Sequence, residues 1–255
     1  PMAVVWAVGC YVRRRKLAAW TFAVMLVAYT GGVAFSVSQE MNGSKQIAGM
    51  GIAQDLGSME GKEIRLGSAA SAMWGMTTTV TSNGSVNSMH DMQINCWFGG
   101  VGVGWMNYFT FLIIAVFISG LMVGRTPEFL GHKVEAREMK IATMVVLLHP
   151  FLILVGTGVS AFIASGNPNI GWLNNPSFHG LSEMLYEYTS AAANNGSGFE
   201  GLGDNTPFWN ITTGIVLIMG RYFPIVGQVA IAGLLANKKY IPESAGTLRT
   251  DTGTF

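Results

Sequence analysis

The sequence predicts an all-α integral membrane protein, assembled from a repeated unit of helix, pore helix, filter loop and helix. Three observations carry that prediction. Half of the residues are hydrophobic and only 11% are charged, against about a quarter in soluble domains. The apolar residues are gathered into blocks, several long enough to cross a bilayer. Two runs of small residues, 77–85 and 189–197, both end in Asn-Gly-Ser, and superposing Gly84 on Gly196 also aligns Thr77 with Thr189. The formal net charge of +1 gives no ground for a nucleic-acid partner.

Taken in order, residues 1–11 read as the end of a helix whose beginning lies outside the sequence, since the chain starts at Pro1 within an apolar run. Arg13-Arg14-Arg15-Lys16 then marks a membrane boundary. Residues 17–37 are uncharged and reach the length of about 20 that a spanning helix needs. Residues 39–66 are polar and read as an external loop, and 67–76, small and apolar but too short to span, suit a pore helix. The first filter loop follows, and then a second span over 97–123, which opens with the glycine-rich stretch 98–104. Residues 124–140 form a charged connector, read as a solvated loop or as a docking surface containing Pro127.

The second unit repeats the plan. Residues 141–164 make a third span in which Pro150 is expected to kink or interrupt the helix. Residues 178–190 suit a second pore helix, and the second filter loop follows. A fourth span covers 208–235, with an expected interruption at Gly220-Arg221-Tyr222-Phe223-Pro224. Span, pore helix, loop and span thus occur twice, with the Asn-Gly-Ser triplets offset by 112 residues (84 to 196). Two units cannot surround an ion on four sides. Either a second copy completes the ring, or two further units precede Pro1.

Charge sets the orientation. The clusters 13–16, 125–140 and 238–249 hold eleven of the fifteen Lys and Arg residues, which places them on the cytoplasmic side. Both loops then enter from outside. Non-helical backbone survives at membrane depth only where protein buries it or where it lines a water-filled path. A ring of its carbonyls can replace the hydration shell of a passing cation. Of the two cysteines, Cys10 and Cys96 fall at opposite faces on this topology, too far apart to bridge.

The other reading of Asn-Gly-Ser is an ordinary external turn, Asn-Gly being a common turn pair, or a glycosylation sequon such as Asn42-Gly43-Ser44 also forms. Repetition between short and long apolar segments favours the filter. Arg221 lies within an apolar stretch, where a charge marks a functional site unless it snorkels to the surface. A cation there would discourage free leakage of positive ions. Glu183 and Glu187 share a helix face and suit either an attractive outer mouth or a solvated or hydrogen-bonded helix face. His90-Asp91 and His149-Pro150 offer too few ligands for a metal and read as structural. The glycines of 98–104 fit no nucleotide-binding register and suit close helix packing. No nucleophile elbow or His-Glu-x-x-His occurs, so an intramembrane enzyme is disfavoured.

Several stretches carry a family resemblance: 59–63 (Met-Glu-Gly-Lys-Glu), Met89-His90-Asp91, 98–102, 115–118, 120–122, 124–128 (Gly-Arg-Thr-Pro-Glu), 135–140 (Glu-Ala-Arg-Glu-Met-Lys), 194–197, Gly220-Arg221 and 244–248. In this order they resemble the potassium-binding A subunit of the Kdp-type potassium-transporting ATPase, a member of the potassium-transporter superfamily with four pore-loop repeats. The resemblance implies that residues 1–11 end a preceding transmembrane helix, 12–126 form the third repeat, and 127–255 form the fourth with a cytoplasmic tail. It implies potassium binding at Ser82, Asn83 and Gly84 in one loop and at Asn194, Asn195 and Gly196 in the other, with K+ as the transported ion and no other metal. The stretch between Asp91 and Gln93 is shorter than the family's.

The same resemblance implies a subunit that selects K+ without hydrolysing anything itself. ATP would be used by a P-type ATPase partner, accompanied by small single-span accessory subunits in a bacterial inner membrane. The alternative is a passive or ion-coupled potassium transporter of the same architecture.

Overall fold

The computed structural model describes residues 2–59, 61–81, 83, 85, 87, 103–167, 170–174, 178–199 and 201–242. Eight helices are described: α1 (Met2–Tyr11), α2 (Arg15–Met41), α3 (Lys45–Gly49), α4 (Gly67–Val80), α5 (Val103–Val123), α6 (Ala136–Gly166), α7 (Phe178–Ala193) and α8 (Pro207–Ala236). A hairpin of β1 (Glu128–Phe129) and β2 (His132–Lys133) joins α5 to α6. Among the described residues α2, α5, α6 and α8 are long and apolar enough to cross a membrane.

The order of elements repeats. In the first unit α4 packs along α2, with Tyr29 Oη and Thr77 Oγ1 sharing a hydrogen bond of 2.8 Å and Met76 filling the space beside Gly32. In the second, α7 packs between α6 and α8. Tyr188 lies against Gly156 and bonds Ser160 Oγ at 3.0 Å and Thr212 Oγ1 at 2.9 Å. Each unit has its own apolar centre. Val5, Ala18, Met25, Met76 and Val80 make the first, and Leu152, Trp172, Met184, Tyr188, Trp209 and Val216 the second. A third cluster joins the units at one end, where Leu17, Val116, Phe129, Val134, Ala142 and Ile231 meet. Arg13–Lys16 run into Leu17 of that cluster and Lys238 meets the hairpin, so these described basic residues share one face.

Four expectations change. The pore helices run further than predicted, through Val80 and Ala193 instead of Met76 and Ser190. Threonines tolerate this because their hydroxyls bond back along the helix, Thr77 to Met73 O at 2.7 Å and Thr81 to Thr77 O at 2.8 Å. Pro150 and Pro224 lie inside continuous helices and interrupt neither. The connector is neither a plain solvated loop nor open surface along its length, because Phe129 and Val134 are buried in the shared cluster. Its hairpin is clasped by the segment after α8: Ile241 N–H donates to Gly131 O at 2.8 Å and Tyr240 stands edge-on to His132. Lys238 Nζ donates to Lys133 O at 3.0 Å and pairs with Glu135 at 3.2 Å and with buried Glu138 at 2.9 Å.

Candidate ion-binding loops

Both short helices enter the protein from the end opposite the basic clusters and stop near its middle. At the start of α4, Ser68 Oγ donates to Leu56 O and the loop ahead is tied to the end of α2 by Ser58 N–H to Glu40 O and by the Lys62–Glu40 ion pair. By its eleventh residue, Thr77, α4 has reached the level of Tyr29, midway along α2. The second unit closes the circuit in full. Asn174 N–H donates to Gly201 O at 3.0 Å and Gly203 N–H to Trp172 O at 2.7 Å, so the chain leaves and returns at one level. Between those points α7 runs inward until Ala192 abuts Gly220 near the centre of α8. That is a re-entrant hairpin.

The two helices end in the same way. In the second, Asn194 takes a left-handed φ of +54°, Asn194 N–H bonds Ala191 O and Asn195 N–H bonds Ser190 O, each at 3.0 Å. This pair of bonds closes a helix C-terminus and needs a left-handed residue at its pivot, which Asn tolerates better than most. In the first, Asn83 N–H bonds Thr78 O at 2.9 Å, the equivalent reach across five residues. Each asparagine then folds its side chain forward. Asn83 Oδ1 accepts from Ser85 N–H at 3.1 Å, and Asn195 Oδ1 from Ser197 N–H at 3.2 Å and Ser197 Oγ at 2.7 Å. The 112-residue offset in sequence is thus an offset in hydrogen bonding too.

The loops also meet. Asn195 Nδ2 donates to Thr79 O in the last turn of α4 at 3.2 Å, across 116 residues, and Asn195 is buried. Asn194 Nδ2 reaches Leu217 O of α8 at 3.3 Å. Gly196 is exposed with φ +87°, a region only glycine enters freely. Tyr186 Oη bonds Ser197 Oγ at 2.8 Å and stacks on Phe199, bracing the outgoing limb.

The whole of this chain, residues 1–255, matches the family model for the potassium-transporting ATPase A subunit. The chain belongs to that family. It is 70% identical to the potassium-transporting ATPase potassium-binding subunit of Phocaeicola vulgatus, 68% to that of Bacteroides fragilis and 66% to that of Parabacteroides distasonis. Each match covers all of this chain and 48% of the relative, so the chain spans about half the length of the curated relatives it matches. The alignments run over 273 positions for 255 residues here. The predicted shortening between Asp91 and Gln93, His90, Cys96 and the 98–102 and 244–248 stretches lie outside the described residues, as do Ser82 and Gly84 of the first loop.

Of the other predicted residues, Asn83, Asn194, Asn195 and Gly196 lie at or next to the junction of the two loops. Arg221 is exposed on α8, one residue beyond Gly220. Glu183 is buried and so does not line a wet mouth. Glu187 lies on α7, which is not one of the spanning helices, and faces Gly198 beyond that helix. Burial, and then the charge of Asp204, push its carboxyl up to about 7. Thr79, which offers only a main-chain carbonyl, escaped prediction, and so did the partner of His149, a residue read as structural whose hydrogen bond reaches 71 residues along the chain.

Proposed function

We propose that this chain is part of the potassium-binding and translocating subunit of an ATP-driven potassium uptake pump. It selects K+ with backbone carbonyls of two re-entrant loops, Ser82-Asn83-Gly84 and Asn194-Asn195-Gly196. The observation that carries this reading is the Asn195–Thr79 hydrogen bond, which brings the ends of both pore helices to one place. Helix C-termini carry about half a negative charge each. Two of them directed at one point favour a cation there before any side chain contributes. Stripping water from an ion costs tens of kcal/mol unless oxygens replace it nearly one for one, and loop carbonyls are the groups available to do so. The asparagine side chains are already engaged in bracing the loops, which leaves coordination to the main chain.

In this reading 12–126 and 127–255 are the third and fourth of four repeats, and the missing quadrants of the ring come from the rest of the subunit. The basic face is cytoplasmic, the loops open outward, and the membrane is a bacterial inner membrane. Arg221, just below the second loop, opposes free leak of cations. The subunit hydrolyses nothing itself and hands K+ to a P-type ATPase subunit, which uses ATP, in a complex with small single-span subunits. Growth of a transport-deficient host at limiting K+ tests the proposal. The full-length gene should restore growth, and replacing Gly84 or Gly196 should raise the K+ requirement. Restoration by both glycine variants at the wild-type K+ requirement would refute the role of the loops.

A further inference from the structure

A helix carbonyl loses its usual donor when a proline stands four residues later. In α8 that carbonyl belongs to Gly220, because Pro224 has no N–H to offer. In a membrane segment an unpaired carbonyl has no water to turn to. Here a side chain fills the place: His149 Nε2 lies 3.0 Å from Gly220 O. A carbonyl only accepts, so Nε2 carries the proton of this bond and the ring is fixed as a donor toward α8. His149 sits half-buried on α6, one residue before that helix's own proline.

The segment that His149 holds is the one against which the second loop is built. Gly220 is buried, and a side chain there would collide with Ala192, whose carbonyl carbon and Cα both lie at 3.1 Å from the added carbon. Three residues earlier, Leu217 O receives Asn194 Nδ2. The chain of support therefore runs from α6 through His149 to Gly220, and from Gly220 to the end of α7, where Asn194 and Asn195 begin the loop.

We infer that His149 is a positioning residue for the second ion-binding loop, supplying to Gly220 the hydrogen bond that Pro224 cannot. It touches no ion, and its effect on K+ rests on the reading of that loop given above. Without the donor, the Gly220 carbonyl must turn or α8 must bend at the point where it meets Ala192, and the loop loses its fixed backing.

The test is a double-mutant cycle in the full-length subunit assembled in its complex, reading the K+ concentration that half-saturates ATP hydrolysis and the discrimination against Na+. His149→Leu is expected to raise that concentration about three- to tenfold, the size of one net hydrogen bond, with the maximal rate kept within about twofold. Pro224→Ala returns an N–H to position 224, so His149→Leu should cost much less in that background. Should the leucine variant fail to assemble, His149→Gln, which keeps a donor, is compared with His149→Met, which does not; Gln alone should retain K+ affinity. Equal costs of His149→Leu with and without Pro224, or equal behaviour of Gln and Met, would overturn the inference. A wild-type complex whose hydrolysis ignored K+ would instead overturn the reading of the loop itself.

Discussion

Gly220→Ala is the sharpest single perturbation of this architecture. The added methyl would collide with Ala192 O and lie 3.1 Å from that residue's C and Cα, all of them main-chain atoms that no rotamer change can move. Carbon atoms rest at about 3.5–4.0 Å, so α8 and the end of α7 must part by roughly half an ångström or more. Overpacking of this kind costs about 1–3 kcal/mol, offset by about 1 kcal/mol of helix propensity gained over glycine. Gly214 in the same helix is the control, because nothing lies within 4 Å of its added carbon. There only the propensity gain applies. Thermal unfolding of the purified complex should therefore separate the two variants by about 1–3 kcal/mol. The K+ affinity of Gly220→Ala should also fall, because Ala192 leads directly into Asn194 and Asn195. A Gly220→Ala complex as stable as Gly214→Ala and with wild-type K+ affinity would refute the close packing of α7 on α8.

Three further outcomes follow from the same contacts. Asn195→Asp keeps the oxygen that receives Ser197 but loses the donor to Thr79 O, so it should weaken K+ affinity about tenfold, one hydrogen bond's worth. Asn195→Ala should cost more, as read by K+-dependent hydrolysis. Lys238→Met leaves Glu138 buried without its ammonium partner and should lower stability by about 1–3 kcal/mol, a discounted value because Lys238 is partly exposed. Thermal unfolding measures this. Glu187 keeps its proton to about 7 in the folded chain, whereas unfolded it would lose it near 4.5. Over that window the unfolded state binds fewer protons, so stability should fall as pH rises from about 4.5 to about 7, and Glu187→Gln should flatten the slope. A slope unchanged by the substitution would show that another group is responsible.

Much of the fold was legible because the signals are local. Apolar blocks gave the spans, their shortened counterparts gave the short helices, and the twin Asn-Gly-Ser runs gave the expected loops. What escaped was set by contacts far apart in the chain. Thr77–Val80 looked like loop because small polar residues favour turns, yet the Thr77 hydroxyl returns to Met73 O and Val80 packs into the core with Met76. The expected break at Pro224 does not occur, and His149 stands where the missing donor would be. No local pattern marks a histidine for that purpose. The connector's charges suggested a solvated loop, and the few apolar residues that fold it, Phe129 and Val134, were too sparse to signal a hairpin. In the candidate site, residue type identified the asparagines, but the bond joining the two loops ends on a carbonyl that every residue carries.

The most direct measurement is a K+ binding isotherm of the intact complex in a Na+ background, comparing wild type with Gly196→Ala. Gly196 has open space around it but a φ of +87°, so alanine there strains the backbone by about 1–3 kcal/mol without adding a steric clash. The account predicts saturable K+ binding in the wild type, weakened about tenfold or more and with reduced preference over Na+ in the variant. Identical isotherms would mean that main-chain geometry at the second loop does not hold the ion.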